Sequence, residues 1–485
     1  MRSRIATGML LVAALAPATA HAESTAELTL GAPHLSLSGP MHSFAGNQVA
    51  GVGDFNGDGS RDVAVAGNSV AWIVPGPAGT GDAALDAAGL RIDASAIWDF
   101  SSIKVAGAGD VNGDGLGDLV IGIRSEDQNA RPESGSAYVI FGSASSAPIT
   151  LPDLGDRGFR VDGAARGDGV GTSVDGAGDV NGDGLDDVVI GTEGNGNSRD
   201  GRSAYVVFGK RSTDTVLLNA ADLANKGVRI NGDRPDLPGA AVAGAGDVNR
   251  DGYADVLVGA PWADANGRLN SGSVYLIFGR KGHATVWLDD LAARGMRIDG
   301  AAAGDRLGAA VSRAGDVDGD GRSDLLLGAP DTDLGGGPGD GDAYAVFFRG
   351  AATTSDLAAL GSGGLAIHTR NFPDDLARSV AAAGDVNGDG HADLLVGAPE
   401  TGFGNAFPGA AYLVLGRAAG GSLDARELGQ TGRVIRGPGP DDRLGTSVAG
   451  LGDVTGDGRP DIAVGAPRYD ADGAPNVGLA QVFGL

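Results

Sequence analysis

Asp179-Val-Asn-Gly-Asp-Gly-Leu-Asp-Asp187 is one of seven copies of a nine-residue acidic motif. The others are Asp54-Phe-Asn-Gly-Asp-Gly-Ser-Arg-Asp62, Asp110 to Asp118, Asp247 to Asp255, Asp316 to Asp324, Asp385 to Asp393 and Asp453 to Asp461. The first Asp recurs at intervals of 56, 69, 68, 69, 69 and 68 residues. Such a period exceeds the ~20–45 residues of leucine-rich, ankyrin or tryptophan-aspartate repeats. It suits one four-stranded sheet with generous loops.

Working outward from the motif, each repeat yields four short strands. Small and β-branched residues precede it, as in Ser173-Val174 and Ser447-Val448. A tight apolar run follows, as in Val188-Val-Ile-Gly191, Val256-Leu-Val-Gly259 and Leu325-Leu-Leu-Gly328. The third strand recurs as Tyr138-Val-Ile-Phe-Gly142, Tyr205-Val-Val-Phe-Gly209 and Tyr275-Leu-Ile-Phe-Gly279, the fourth as Phe159-Arg-Val-Asp162, Val228-Arg-Ile-Asn231 and Met296-Arg-Ile-Asp299. Short runs of Val, Ile and aromatics bounded by Gly and Asp are strand signals. No segment reads as a long amphipathic helix; Asp289 to Arg294 offers a turn or two at most.

Seven such units imply an all-β fold, a seven-bladed β-propeller of four-stranded antiparallel blades, since radial repetition hides the sheet edges. The chain ends on a third strand, Ala480-Gln-Val-Phe-Gly484, and begins near a lone fourth strand, Leu35-Ser-Leu-Ser-Gly39. The two are expected to pair, closing the ring through an N-terminal strand. Residues 23–485 then form one domain, and a monomer is expected. Residues 1–22 resemble a cleaved secretory signal: Arg2 and Arg4, an apolar run from Ile5 to Ala18, then Ala20-His21-Ala22. A secreted or periplasmic location is expected, with no integral membrane span.

Composition narrows the chemistry. Cys is absent, which excludes disulfides, thiolate metal sites and cysteine nucleophiles. The formal charge of −26 argues against nucleic acid and fits a chain that collects cations. Asp occupies loop positions 1, 5 and 9 in every copy, and position 6 is always Gly. Position 3 is Asn, Asp or Thr. The candidate ligands are therefore Asp54, Asn56, Asp58 and Asp62; Asp110, Asn112, Asp114 and Asp118; Asp179, Asn181, Asp183 and Asp187; and Asp247, Asn249, Asp251 and Asp255. The last three loops contribute Asp316, Asp318, Asp320 and Asp324; Asp385, Asn387, Asp389 and Asp393; and Asp453, Thr455, Asp457 and Asp461.

Oxygen-only donors, completed by a backbone carbonyl at position 7, select a hard cation, and the flexible shell favours Ca²⁺ over Mg²⁺. Up to one Ca²⁺ per blade is expected. An EF-hand would need a Glu at position 12 and flanking helices. Here that position is Val65, Ile121, Ile190, Val258, Leu327, Val396 or Val464, so position 9 must close the shell. The competing reading is an Asx-rich turn without metal. Asp318 adds a fourth carboxylate to loop five, Thr455 weakens loop seven, and Arg250 replaces a Gly in loop four.

Gly-Ala-Pro recurs after the second strand at Gly259-Ala260-Pro261, Gly328-Ala329-Pro330, Gly397-Ala398-Pro399 and Gly465-Ala466-Pro467. With the acidic loop, this resembles the FG-GAP repeat of integrin α-subunit N-terminal propellers, also found in bacterial exported proteins. The resemblance implies a binding or adhesion module for a protein or glycan ligand. The strands after Gly122 and Gly191 depart from it, continuing as Ile-Arg and Thr-Glu.

Recognition is expected on the rim opposite the acidic hairpins, where the two-to-three loops are long and unlike one another. Aromatic candidates there are Trp262, Phe403, Phe407 and Tyr469, with Trp98, Phe100 and Phe372 on four-to-one loops. Arg166-Gly167-Asp168 matches an adhesive tripeptide, but an Asp stands six residues before the inner-strand Val in five repeats (Asp168, Asp236, Asp305, Asp374 and Asp442). That Asp belongs to the scaffold. The alternative function is a propeller-based hydrolase or lyase acting on polysaccharide or phosphoester. The scattered His34, His42, His283, His368 and His391 give it little support, and no catalytic residue is assigned.

Overall fold

The computed structural model describes residues 34–77, 79–97, 103–127, 131–194, 203–232, 238–331, 341–350, 354–369, 374–402, 407–471 and 473–484. The leader assigned to residues 1–22, with Trp98, Phe100, Asp236, Phe372 and Phe403, lies outside them.

Each acidic motif is a hairpin joining an innermost strand to a second strand. In the fourth blade the order from the axis outward is Ala241–Gly246, Asp255–Ala260, Ser273–Ile277 and Gly295–Asp299, all antiparallel. The pattern repeats in seven sheets. In this blade strands two and three are buried along their whole length because neighbouring blades cover both faces, which is why they carry apolar runs. The core therefore lies between blades: Val52, Phe55, Ile73 and Ile92 of the first blade meet Ile121, Tyr138 and Ile140 of the second.

Ring closure follows the expected route. Leu35–Ser38 pairs antiparallel with Leu479–Phe483, with Leu35 opposite Val482 and Leu37 opposite Ala480. Leu37 and Val482 then pack with Trp72 and Leu85 of the first blade. The helical content at residues 289–294 is two 3-10 turns, Leu288–Asp290 and Ala292–Arg294.

One expectation needs correction. Six of the seven sheets have five strands, not four. The fifth is a parallel piece of two to four residues lent by the three-to-four connector of the next blade. Val286–Trp287 of the fourth blade thus pairs with the outer strand Gly227–Asn231 of the third. Gly81–Ala84 does the same for Leu35–Ser38. The piece satisfies backbone groups that an outer strand would otherwise leave unpaired. Among the described residues the sixth blade has four strands.

Six second strands carry a Gly where the next blade's backbone presses in. A methyl group added at Gly259 would overlap the carbonyl oxygen of Gly308, and Gly191, Gly397 and Gly465 meet Gly239, Gly445 and Gly46 in the same way. The Gly of Gly-Ala-Pro is therefore set by blade-to-blade approach.

Candidate metal centre

Immediately before each hairpin the inner strand bulges. Between Gly244 and Gly246 the register slips by one residue, and Gly246 takes a φ of +73° that only glycine adopts freely. The same bulge precedes the other hairpins and turns the position-1 Asp into the loop. At the tip, the position-6 Gly has φ between +83° and +90° in all seven copies. Open space surrounds most of these tips, so the requirement there is conformational.

The position-9 Asp is fully buried in every loop: Asp62, Asp118, Asp187, Asp255, Asp324, Asp393 and Asp461. Its Oδ2 accepts the N–H of position 2 at 2.8–3.0 Å. In the first six loops its Oδ1 accepts an N–H just past the third strand, from Gly76, Gly142, Gly209, Gly279, Phe348 or Gly416, at 2.7–2.9 Å. This Asp staples hairpin to blade, a task its sequence position does not announce.

In loops one, two, three, six and seven the position-1 carboxylate accepts the N–H groups of positions 4, 5 and 6 at 2.6–3.1 Å. These loops are pre-shaped nests of Asx-type bonds. Loop five is different. Asp316, Asp318 and Asp324 each bring a ligand oxygen within 4.8 Å of the others, the one such triad among the described residues. Asp316 Oδ1 is buried without a hydrogen-bond partner. Converging carboxylates and an orphaned buried oxygen fit a hard cation, so this cluster could hold a metal ion.

Two neighbours modify the set. Arg349 reaches Asp318 at 2.6 Å, so part of loop five's extra negative charge is already balanced. Arg250, at φ +62° where the other six loops have Gly, donates to the Gly321 carbonyl of loop five. In loop seven, Thr455 Oγ1 leans toward Asp461 Oδ1 at 3.4 Å.

Burial pushes the position-9 carboxyls up, against the N–H bonds that pull them down. Asp187 rises to about 8, Asp118, Asp255, Asp324 and Asp393 to about 7, and Asp62 to about 6; Asp461 is raised as well. In an unfolded chain these groups titrate near ~3.9. The folded state therefore holds more protons than the unfolded one between roughly pH 4 and pH 8. A raised acid stabilises the fold fully below its unfolded value and loses that contribution as pH climbs through its folded value. Freed of divalent ions, the protein is expected to melt higher at pH 5.5 than at pH 8. Calorimetry at the two values checks this; the reverse order would refute the assignment.

The adhesive tripeptide resolves as scaffold. The Asp168 carboxylate accepts the Ala165 N–H at 2.7 Å, as Asp305 accepts that of Ala302 and Asp442 that of Gly439, both at 2.6 Å. On the same rim the two-to-three loops are pinched at the neck by a backbone bond: Gly272 to Ala263, Gly409 to Thr401 and Gly478 to Tyr469. Trp262, Phe407 and Tyr469 are half-buried, and Tyr469 packs against the core between the last two blades.

The FG-GAP repeat family matches residues 105–140, 238–277, 377–414 and 444–483, from the second, fourth, sixth and seventh blades. Integrin alpha pat-2 of Caenorhabditis elegans is 33% identical over 232 residues, which is 46% of this chain and 17% of that protein. Integrin alpha-4 of Xenopus laevis is 28% identical over 268 residues, 55% of this chain and 22% of that one. Phosphatidylinositol-glycan-specific phospholipase D of Rattus norvegicus is 32% identical over 160 residues, 33% of this chain and 18% of that one. The chain thus spans less than a quarter of the length of these relatives. Four FG-GAP repeat matches, integrin α relatives and a closed ring of seven blades together show a seven-bladed propeller with FG-GAP repeats, similar to the N-terminal domain of integrin α-chains.

Proposed function

We propose that the chain is a secreted or periplasmic calcium-loaded propeller that serves as a binding or adhesion module for a protein or glycan ligand. The observation that carries this reading is the division of labour between the rims. One rim holds seven near-identical acidic hairpins tied to their own blades. The other carries loops of which several described ones share a pinched neck and differ in sequence, the arrangement expected where a rigid scaffold presents variable contacts. The neck residues Gly272 and Gly409 also bridge to Leu307 and Leu444 of the next blade, which ties these loops to their neighbours.

In each loop the carboxylates of positions 1, 5 and 9 and the side-chain oxygen of position 3 would hold Ca²⁺. The ion supplies charge balance, since seven dications offset 14 of the negative charges. The surrounding N–H groups keep the carboxylates aimed before the ion arrives. Because the position-9 carboxyls must shed their protons, calcium affinity is expected to rise between pH 6 and pH 8. No described helix is long and apolar enough to cross a membrane.

Immobilised glycans and surface proteins, probed with the chain in calcium and after chelation, test the reading. Saturable, calcium-dependent capture that falls at least tenfold when the 262–272 loop is replaced by Gly-Ser is the expected result. Turnover of a polysaccharide or phosphoester without such capture would overturn it.

A further inference from the structure

The channel along the propeller axis carries two basic residues at one end that break the repeat. It has a volume of about 630 Å³ and is walled by the seven innermost strands. Their residues are mostly Gly, Ala, Val and Ser. Lys104 opens the inner strand of the second blade where the third, fourth and fifth carry Ser173, Ala241 and Ala310. Arg378 stands just before the inner strand of the sixth blade, where the fourth and fifth have Ala240 and Ala309. Both sit at the end of the channel away from the acidic hairpins, on the rim that bears the variable loops.

Among the described residues Lys104 has no hydrogen-bond or ion-pair partner. Burial pushes its ammonium down from the ordinary lysine value, and the charges of Arg378 and Arg124 push the same way. Arg124 is engaged by Glu193, and Arg378 lies 3.9 Å from Asp375. Of the channel's acids, Asp175 accepts the Gly244 N–H at 3.1 Å and feels Arg313, and Asp186 accepts the Asp110 N–H at 2.8 Å, so neither serves Lys104. A half-buried, unpaired ammonium in a channel that Arg378 also lines costs stability in the empty ring. A chain with a net charge of −26 has no general need of cations there. What such a cluster favours is an incoming oxyanion, to which Lys104 would donate charge-assisted hydrogen bonds.

We propose that the loop-side mouth of the axial channel binds a small molecule carrying a carboxylate or phosphate group, anchored by Lys104, with Arg378 lining the same channel. The channel volume falls within the ~300–1,000 Å³ of small-molecule pockets. The site stands apart from the acidic hairpins and holds whether or not those bind calcium.

Titration calorimetry on the full chain, with succinate and with phenyl phosphate as probes, decides the matter. One saturable site is expected, weakened at least tenfold in Lys104→Met and unchanged in Lys281→Met, which alters an exposed lysine. Preference for one probe supports the proposal and identifies the anionic group. Lys104→Met should fold and, without ligand, melt no lower than the parent, because it removes an unpaired charge. Failure of both probes to bind the parent chain, or equal affinity in Lys104→Met, would overturn the proposal.

Discussion

Stripped of divalent ions, the propeller should unfold at a midpoint on the order of 10 °C below that in millimolar calcium. A ligand present at 100 times its dissociation constant stabilises by about 2.7 kcal/mol per site. Several occupied hairpins therefore add up to several kcal/mol. The effect should be cooperative, because neighbouring hairpins are bonded to each other. Gly117 N–H donates to the Asp54 carbonyl, Asp186 to Asp110, Ala254 to Asp179, and Ala392 to Asp316, at 2.7–3.1 Å. Loosening one loop thus frees a donor from the next. Scanning calorimetry with and without chelator makes the comparison, and superimposable curves would count against structural calcium.

Gly259→Ala should cost about 3 kcal/mol or more, an unusually large penalty for one methyl group. The added carbon would overlap the Gly308 carbonyl oxygen, and the neighbour cannot retreat. Gly308 donates its own N–H to the Gly328 carbonyl at 2.9 Å and is itself pressed against Gly259 and Ala260. Overpacking against fixed backbone typically costs ~1–3 kcal/mol and sometimes more. Gly267→Ala is the informative control. That residue has φ +75° but open space around it, so its cost should stay near ~1–2 kcal/mol. Denaturant titration of both variants separates close approach from backbone strain; equal penalties would show that the blade contact is unimportant.

The blade count, the four principal strands and the closure were legible because each strand carries its own local signature and the acidic hairpin fixes the phase. Val286–Trp287 carries no such signature. Two residues have no periodicity, and their partner belongs to another blade, so the fifth strands escaped notice. The recurring Gly of Gly-Ala-Pro was visible as a family mark, but its cause is a neighbouring carbonyl from a different repeat. The acidic ligand positions were equally plain, whereas Arg349, which balances Asp318, lies 31 residues away. The bulge glycines announced themselves as Gly-Asp before every hairpin without revealing their conformation. Lys104 could have been found. Superposing the seven inner strands sets it against Ser, Ala and Gln, and that comparison between repeats, rather than any motif, is the signal.

Bound calcium per chain is the measurement closest to the central claim that acidic hairpins knit the ring together through divalent ions. Protein equilibrated in saturating calcium and freed of excess by gel filtration should retain close to seven ions by atomic emission, with loop seven the last to fill. A folded, monodisperse chain that retains none would contradict it.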